Sequence, residues 1–208
     1  KKITVITHRN CYEDVIKNKN KIIQSKNKPL SLLLIGNIKK YKGVDFIIEV
    51  VKYLNEINFS VLLNIIGPGE FNYINRISKK IKKLNLSEKI ILKNEFLDFK
   101  SFYNAINNAD IGVMPYIKAS QSGTPYLFYK CNKPLIISNI GGLKEQTNEK
   151  LSKVSDIDVK KFANCIIEMD IKIKKNEFHK SDFKKFLDEN LWEKTINDYY
   201  FEYKKIKN

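Results

Sequence analysis

Leu30-Ser31-Leu32-Leu33-Leu34-Ile35-Gly36-Asn37 and, further on, Val61-Leu62-Leu63-Asn64-Ile65-Ile66-Gly67-Pro68-Gly69 decide the fold of this chain. Each is a short run that is apolar at nearly every position, rather than at every second one, and each stops at a glycine. That is the pattern of a strand covered on both faces, as in a parallel sheet with helices above and below. Between the two runs Val44, Ile47, Ile48, Val51 and Leu54 recur at helical spacing, so one face of a helix over 44–54 is apolar. Strand, helix and strand in this order make a βαβ unit.

The alternation continues outward. Ile74, Ile77, Ile81 and Leu84 carry a second helix, strands follow at 89–92, 111–114 and 135–138, and helices are expected at 101–107 and 125–131. A strand at 3–6 adds a sixth. Beyond Gly141-Gly142 helical patterns take over, at 157–169, 178–187 and 191–206, with Asn190 and Glu193 spaced as an N-cap and its partner ahead of the last. No stretch reads as a flexible linker or an internal repeat. The expected architecture is α/β: one doubly wound, Rossmann-like parallel sheet of about six strands. Its core is placed at 30–147, with a segment at 1–29 before it and a helical extension at 148–208.

Composition excludes several classes. The 208 residues are 43% apolar, enough to bury a sizeable core, and disorder or a fibrous repeat is ruled out. The net charge is +15, yet of the 38 basic residues only Arg9 and Arg76 are arginines. Lysines lack the planar fork that reads base edges, so specific nucleic-acid recognition is poorly supported and most of the charge reads as solvated surface. Ile, Asn and Lys total 30, 23 and 36, a bias in three residue types rather than selection at single sites. Cys11, Cys131 and Cys165 are odd in number and widely spaced, which argues against a disulfide framework or a zinc site and for a reducing compartment. His8 and His179 have no metal-ligand spacing with each other or with acids, so no metal is expected. The chain opens without Met inside what reads as a strand, as a piece of a longer polypeptide would.

In open parallel sheets ligands bind beyond the carboxyl ends of the strands, where the strand order reverses. Four turns there are unusual: Gly36-Asn37-Ile38-Lys39-Lys40-Tyr41-Lys42-Gly43, Gly67-Pro68-Gly69-Glu70, residues 115–123, and Asn139-Ile140-Gly141-Gly142. Glycines admit a ligand close to the backbone, and helix starts offer N–H groups to an anion. Together they describe a phosphate or nucleotide cradle. None fits G-x-G-x-x-G or the Walker pattern, so neither a dinucleotide oxidoreductase nor a P-loop ATPase is indicated.

The order of these turns, with Asn107-Asn108-Ala109-Asp110-Ile111-Gly112-Val113-Met114-Pro115-Tyr116, Ala119-Ser120-Gln121-Ser122-Gly123, Tyr129, Lys133-Pro134-Leu135-Ile136-Ile137 and Gly141-Gly142-Leu143-Lys144-Glu145, resembles the C-terminal, donor-binding half of a GT-B glycosyltransferase. It is similar to the large retaining family 4, glycosyl transferases group 1, in its bacterial surface-polysaccharide form. The resemblance runs over 30–147 and implies a nucleotide-sugar substrate, UDP-linked, with no cofactor or metal and an N-terminal acceptor domain as partner. By resemblance Lys42 is the catalytic cation at the donor diphosphate. Asn37, where the family has an arginine, Gly43, Gly67, Gly69, Gly123 and Thr124 complete the nucleotide and diphosphate site. Glu95 and Phe96 receive the base, with core packing the competing role for Phe96, and Gln121 and Ser122 lie at the sugar. Two family glutamates are replaced by Ser120 and Phe128, which leaves ribose recognition unassigned.

The resemblance also places the protein in the cytoplasm, with a Lys-rich face suited to the anionic inner face of the plasma membrane. Two rival readings use the same features: a nucleotide-sugar 2-epimerase of the same fold, and a non-enzymatic basic module binding nucleic acid or membrane. The last helix carries an aromatic stripe at Trp192, Ile196, Tyr199, Tyr200 and Tyr203, which packs on its own domain, on the N-terminal domain or on a second copy.

Overall fold

A computed structural model describes residues 28–207. Six parallel strands form one sheet in the order β3-β2-β1-β4-β5-β6. β1 (Leu30–Ile35) and β2 (Val61–Ile66) pair along their whole length from Leu30 opposite Val61 to Ile35 opposite Ile66. β3 (Ile90–Lys93) forms one edge. On the other side of β1 lie β4 (Ile111–Met114), β5 (Leu135–Ser138) and β6 (Ser152–Ser155). The strand order therefore reverses between β1 and β4.

Alternate residues of β1 point into two cores. Leu30, Leu32 and Leu34 join the buried faces of α1 (Val44–Glu56), α2 (Phe71–Lys83) and α5 (Val159–Lys174). Leu33 and Ile35 join those of α3 (Phe99–Asn108), α4 (Thr124–Lys130) and α6 (Lys180–Glu189). On α1 the positions at helical spacing, Val44, Ile47, Ile48, Val51 and Leu54, are all fully buried. Removing one such isoleucine side chain costs about 2–5 kcal/mol.

The sixth strand differs from the sequence expectation. β6 lies in the stretch assigned to the helical extension, because Ser-Lys-Val-Ser is short, polar at three of its four positions and at a sheet edge, where the continuous apolar signal of a central strand is not required. It is reached from β5 through a 3-10 turn, Gly141–Gln146, in place of a helix. The strand expected at 3–6 lies outside the described residues, as do Arg9, His8 and Cys11. Asn190 also has a different job: it closes α6, its side-chain amide donating to Phe186 O at 2.7 Å, ahead of α7 (Trp192–Lys207). Asp98 and Asp158 are N-caps missed in the sequence, accepting from Ser101 N and Lys161 N.

Asparagines close four helices. Asn58, Asn85, Asn132 and Asn176 all have φ of 55–58°, each two residues beyond the end of α1, α2, α4 or α5. In each case the next residue donates back across the turn: Phe59 N to Leu54 O, Leu86 N to Ile81 O, Lys133 N to Phe128 O and Glu177 N to Lys172 O, at 2.8–3.0 Å. These are Schellman closures in which asparagine takes the left-handed position usually given to glycine.

Candidate functional site

The loops after β1 and β4 meet at the point where the strand order reverses. After β1 the chain makes a 3-10 turn at Lys40–Lys42 and turns back through Gly43 at φ 70° into α1. A Cβ on Gly43 would lie 1.7 Å from Pro115 O, so only glycine lets the two loops come this close. Ile117 N–H donates to Tyr41 O at 2.8 Å and ties them together. Ser138 of β5 supports the same junction from below, its hydroxyl donating to Tyr116 O at 2.5 Å.

This packing borders an open cavity of about 590 Å³, lined by Lys42, Tyr116, Lys118, Ser120, Gln121 and Ser122 among others, within the range of small-molecule sites. Lys42 is only 8% exposed. Its ammonium sits 5.1 Å from the centre of the Tyr116 ring, and among the described residues it has no carboxylate partner. Burying an unpaired cation is costly, and the aromatic face offsets only part of that cost. An arrangement of this kind favours an anion in the cavity.

The opposite wall is built from the segment before α4. Ser122 Oγ donates to Thr124 Oγ1 at 3.1 Å and accepts from Thr124 N–H at 3.3 Å, so that amide is engaged locally. Ser122 N–H donates to Gln146 Oε1 at 2.7 Å, Gly142 N–H donates to Ser120 O at 3.1 Å, and a Cβ on Gly141 would lie 1.9 Å from Ala119 O. The 3-10 turn after β5 thus forms the bed on which residues 119–122 rest.

Of the residues singled out in the sequence, Lys42, Gln121 and Ser122 face one cavity together. Glu95 and Phe96 line a separate groove of about 690 Å³ that runs between α3 and the β1-β2-β3 face. Phe96 is 84% exposed and is not core. The Gly67 turn meets the Gly36 turn, where a Cβ would lie 2.2 Å from Gly36 O, and Gly69 N–H donates to Asn94 Oδ1 at 2.8 Å. Asn37 is exposed, and it, Gly43, Gly67, Gly69, Gly123 and Thr124 line neither cavity but shape the turns around them. Phe128 is 1% exposed and packs over Gly112, where any Cβ would meet its ring at 2.5 Å; it belongs to the core, while Ser120 lines the cavity. Two groups were not legible as site components: Tyr116, under the Lys42 ammonium, and Gln146, whose only sequence signal is its place just after Gly141-Gly142.

A carboxylate network anchors the start of α1. Asp45 accepts two bonds from Arg76, at 2.9 and 2.6 Å, and one from Tyr73 at 3.2 Å, while Lys80 bonds both Asp45 O and Glu49. Burial pushes the Asp45 carboxyl up, but Arg76, Lys80 and Tyr73 outweigh it and hold the group below the usual carboxylate range. Burial, with Asp45 beside it, pushes Tyr73 up to about 12. Cys131, a buried free thiol, is also pushed up to about 12 by burial, which leaves it unreactive. Among the described residues no group of three His, Cys, Asp or Glu side chains has the arrangement of a metal site, and no helix is long and apolar enough to cross a membrane.

Solved structures of GT-B glycosyltransferases share this doubly wound, all-parallel α/β fold. Sucrose-phosphate synthase from Thermosynechococcus elongatus superposes with a TM-score of 0.70 at 16% identity, over 88% of this chain and 46% of that one. Anabaena HepE in complex with UDP gives 0.69 at 15% identity, over 85% and 48%. A mutant of S. aureus TarM in complex with fondaparinux, alpha-GlcNAc-glycerol and UDP gives 0.68 at 16% identity, over 88% and 38%. The chain thus spans less than half the length of each of these proteins. No curated protein matches it in sequence. The family model for glycosyl transferases group 1 matches residues 29–169, more than half of the chain, and the chain belongs to that family.

Proposed function

We propose that this chain is the C-terminal, donor-binding half of a retaining glycosyltransferase that moves a sugar from a UDP-linked donor to a growing bacterial polysaccharide or lipopolysaccharide. The observation that carries this reading is Lys42: a largely buried lysine that lines the cavity at the switch point of the sheet, with no carboxylate partner among the described residues. As the bond between the anomeric carbon and the diphosphate oxygen breaks, negative charge gathers on the leaving diphosphate. A cation already held in place stabilises that charge without reorganising in the transition state. Gln121 and Ser122, on the facing wall, hydrogen-bond the sugar, and the Glu95–Phe96 segment receives the base. The acceptor comes from an N-terminal domain, so the isolated chain binds donor without transferring sugar. The UDP in the HepE and TarM complexes supports uracil as the base.

Calorimetric titration with UDP, GDP and ADP at physiological salt tests the reading. UDP should bind saturably and more tightly than the other two, and Lys42→Ala should weaken it about 10- to 100-fold, the loss of one partly screened ion pair. Equal, salt-sensitive binding of all three nucleotides, unmoved by Lys42→Ala, would point instead to nonspecific attraction by the +15 charge.

A further inference from the structure

Gln146 is 1% exposed at the end of the 3-10 turn after β5, and reaches a segment 24 positions earlier in the chain to accept the Ser122 N–H at 2.7 Å. Its second polar atom, Nε2, is buried without a hydrogen-bond partner among the described residues. A buried donor left unmade costs stability, and native interiors rarely tolerate one. Ionised glutamate at this position would accept the same bond and carry no unmade donor, at the cost of a buried charge. Methionine would have the same length but would leave the Ser122 N–H without its acceptor. Glutamine supplies the acceptor without a charge and leaves its own amide donor unmade.

The charges around it supply the reason. On the cavity side lie Lys42 and Lys118; on its own turn Lys144 and Glu145 are both exposed; β5, packed against the turn, carries no charged residue. A glutamate would put a negative charge directly beneath residues 119–122, where it would oppose any anion attracted by the two lysines. We infer that Gln146 is a positioning residue selected to be a neutral acceptor. It fixes Ser122, and with it the wall that carries Gln121, while leaving the lysine field over the cavity undiminished. The inference rests on the reading of that cavity as a nucleoside diphosphate site.

The test uses the 208-residue chain, UDP as probe, and the variants Gln146→Glu, Gln146→Met and Lys42→Ala, with calorimetry at pH 8 and pH 5.5 and thermal melts of each. Gln146→Glu keeps the Ser122 bond and should bind UDP at least tenfold more weakly than wild type at pH 8. It should recover to within about threefold at pH 5.5, where a buried glutamic acid is neutral. Taking the ratio to wild type at each pH removes the titration of the ligand's own terminal phosphate. Gln146→Met loses the acceptor and should weaken binding by the same factor at both pH values. Gln146→Glu binding as wild type at pH 8, or weakened equally at both pH values, would overturn the role of neutrality. Gln146→Met binding as wild type would overturn the positioning role, even if the glutamate variant failed to fold. Absence of UDP binding by wild type, or an unaffected Lys42→Ala, would instead overturn the reading of the cavity itself.

Discussion

Gly43→Ala is the most direct probe of how the fold makes the cavity. At φ 70° an alanine Cβ costs about 1–2 kcal/mol in backbone energy alone. Here the Cβ would also fall 1.7 Å from Pro115 O and 2.8 Å from Pro115 C, backbone atoms that no rotamer change can move aside. The two loops must part by more than an ångström, which breaks the Ile117 N–H to Tyr41 O bond, worth about 1 kcal/mol. The sum is about 3 kcal/mol, a fall in melting temperature of roughly 6–12 °C for a domain of this size. Because the same parting separates Lys42 from Gln121 and Ser122, UDP affinity measured well below the melting point should fall as well. Gly69→Ala is the control. It has no positive φ, its nearest neighbours are the flexible tip of Ile74 at 2.9 Å and Ile38 O at 3.0 Å, and it should cost about 1 kcal/mol or less. A Gly43→Ala chain that melts within about 2 °C of wild type and binds UDP unchanged would refute the claim that this contact sets the site.

Two further outcomes follow from the helix ends and the α1 anchor. Asn85→Ala should destabilise by about 1 kcal/mol, since alanine lacks the tolerance of asparagine for the left-handed position, whereas Asn85→Gly should be neutral or slightly stabilising; denaturant midpoints of the two variants in the opposite order would contradict the Schellman assignment. Asp45, held below the ordinary carboxylate range, loses its proton more readily folded than unfolded, so its contribution is present above about pH 4 and is lost as the pH falls through the lower, folded value. Asp45→Asn should cost about 1 kcal/mol at pH 7, a figure kept small because the side chain is 37% exposed, and should cost almost nothing near pH 2; a penalty that is the same at both pH values would show that Arg76 does not act through charge.

The central sheet was legible because burial on both faces leaves a mark on every residue of β1 and β2, and because α1 spaces its apolar residues for a single face. β6 left no such mark, since an edge strand satisfies half its backbone in solvent and tolerates Ser152 and Lys153. The asparagines illustrate a different limit. Their abundance looks like bias in composition, and nothing local separates Asn85, which must adopt φ 56°, from Asn75 in the middle of α2. Only the position relative to a helix end, known once the helix is, assigns the role. Lys42 stood out through its neighbours in the motif, while its burial over Tyr116 depends on a contact between loops more than 70 positions apart in the chain. Gln146 was illegible for the same reason, its partner being fixed by the path of β5 rather than by spacing.

Phe128 shows how a family site can change without disturbing the fold. At the position where the resemblance puts a glutamate, this chain has an aromatic ring that is 1% exposed and rests over Gly112 in the middle of β4. The missing Cβ of Gly112 and the size of Phe128 fit each other: adding one to the strand would bring it within 2.5 Å of the ring and of Leu135. A carboxylate returned to this position alone would therefore be buried beside Leu135 in apolar surroundings, where desolvation favours the neutral acid and weakens it as a partner for ribose hydroxyls. Phe128→Glu should destabilise the chain by about 3–5 kcal/mol, combining a lost aromatic side chain with a buried polar group, and should not improve UDP affinity; a stable variant that binds UDP more tightly would show that the ring is replaceable and that the ribose site is still open to a carboxylate.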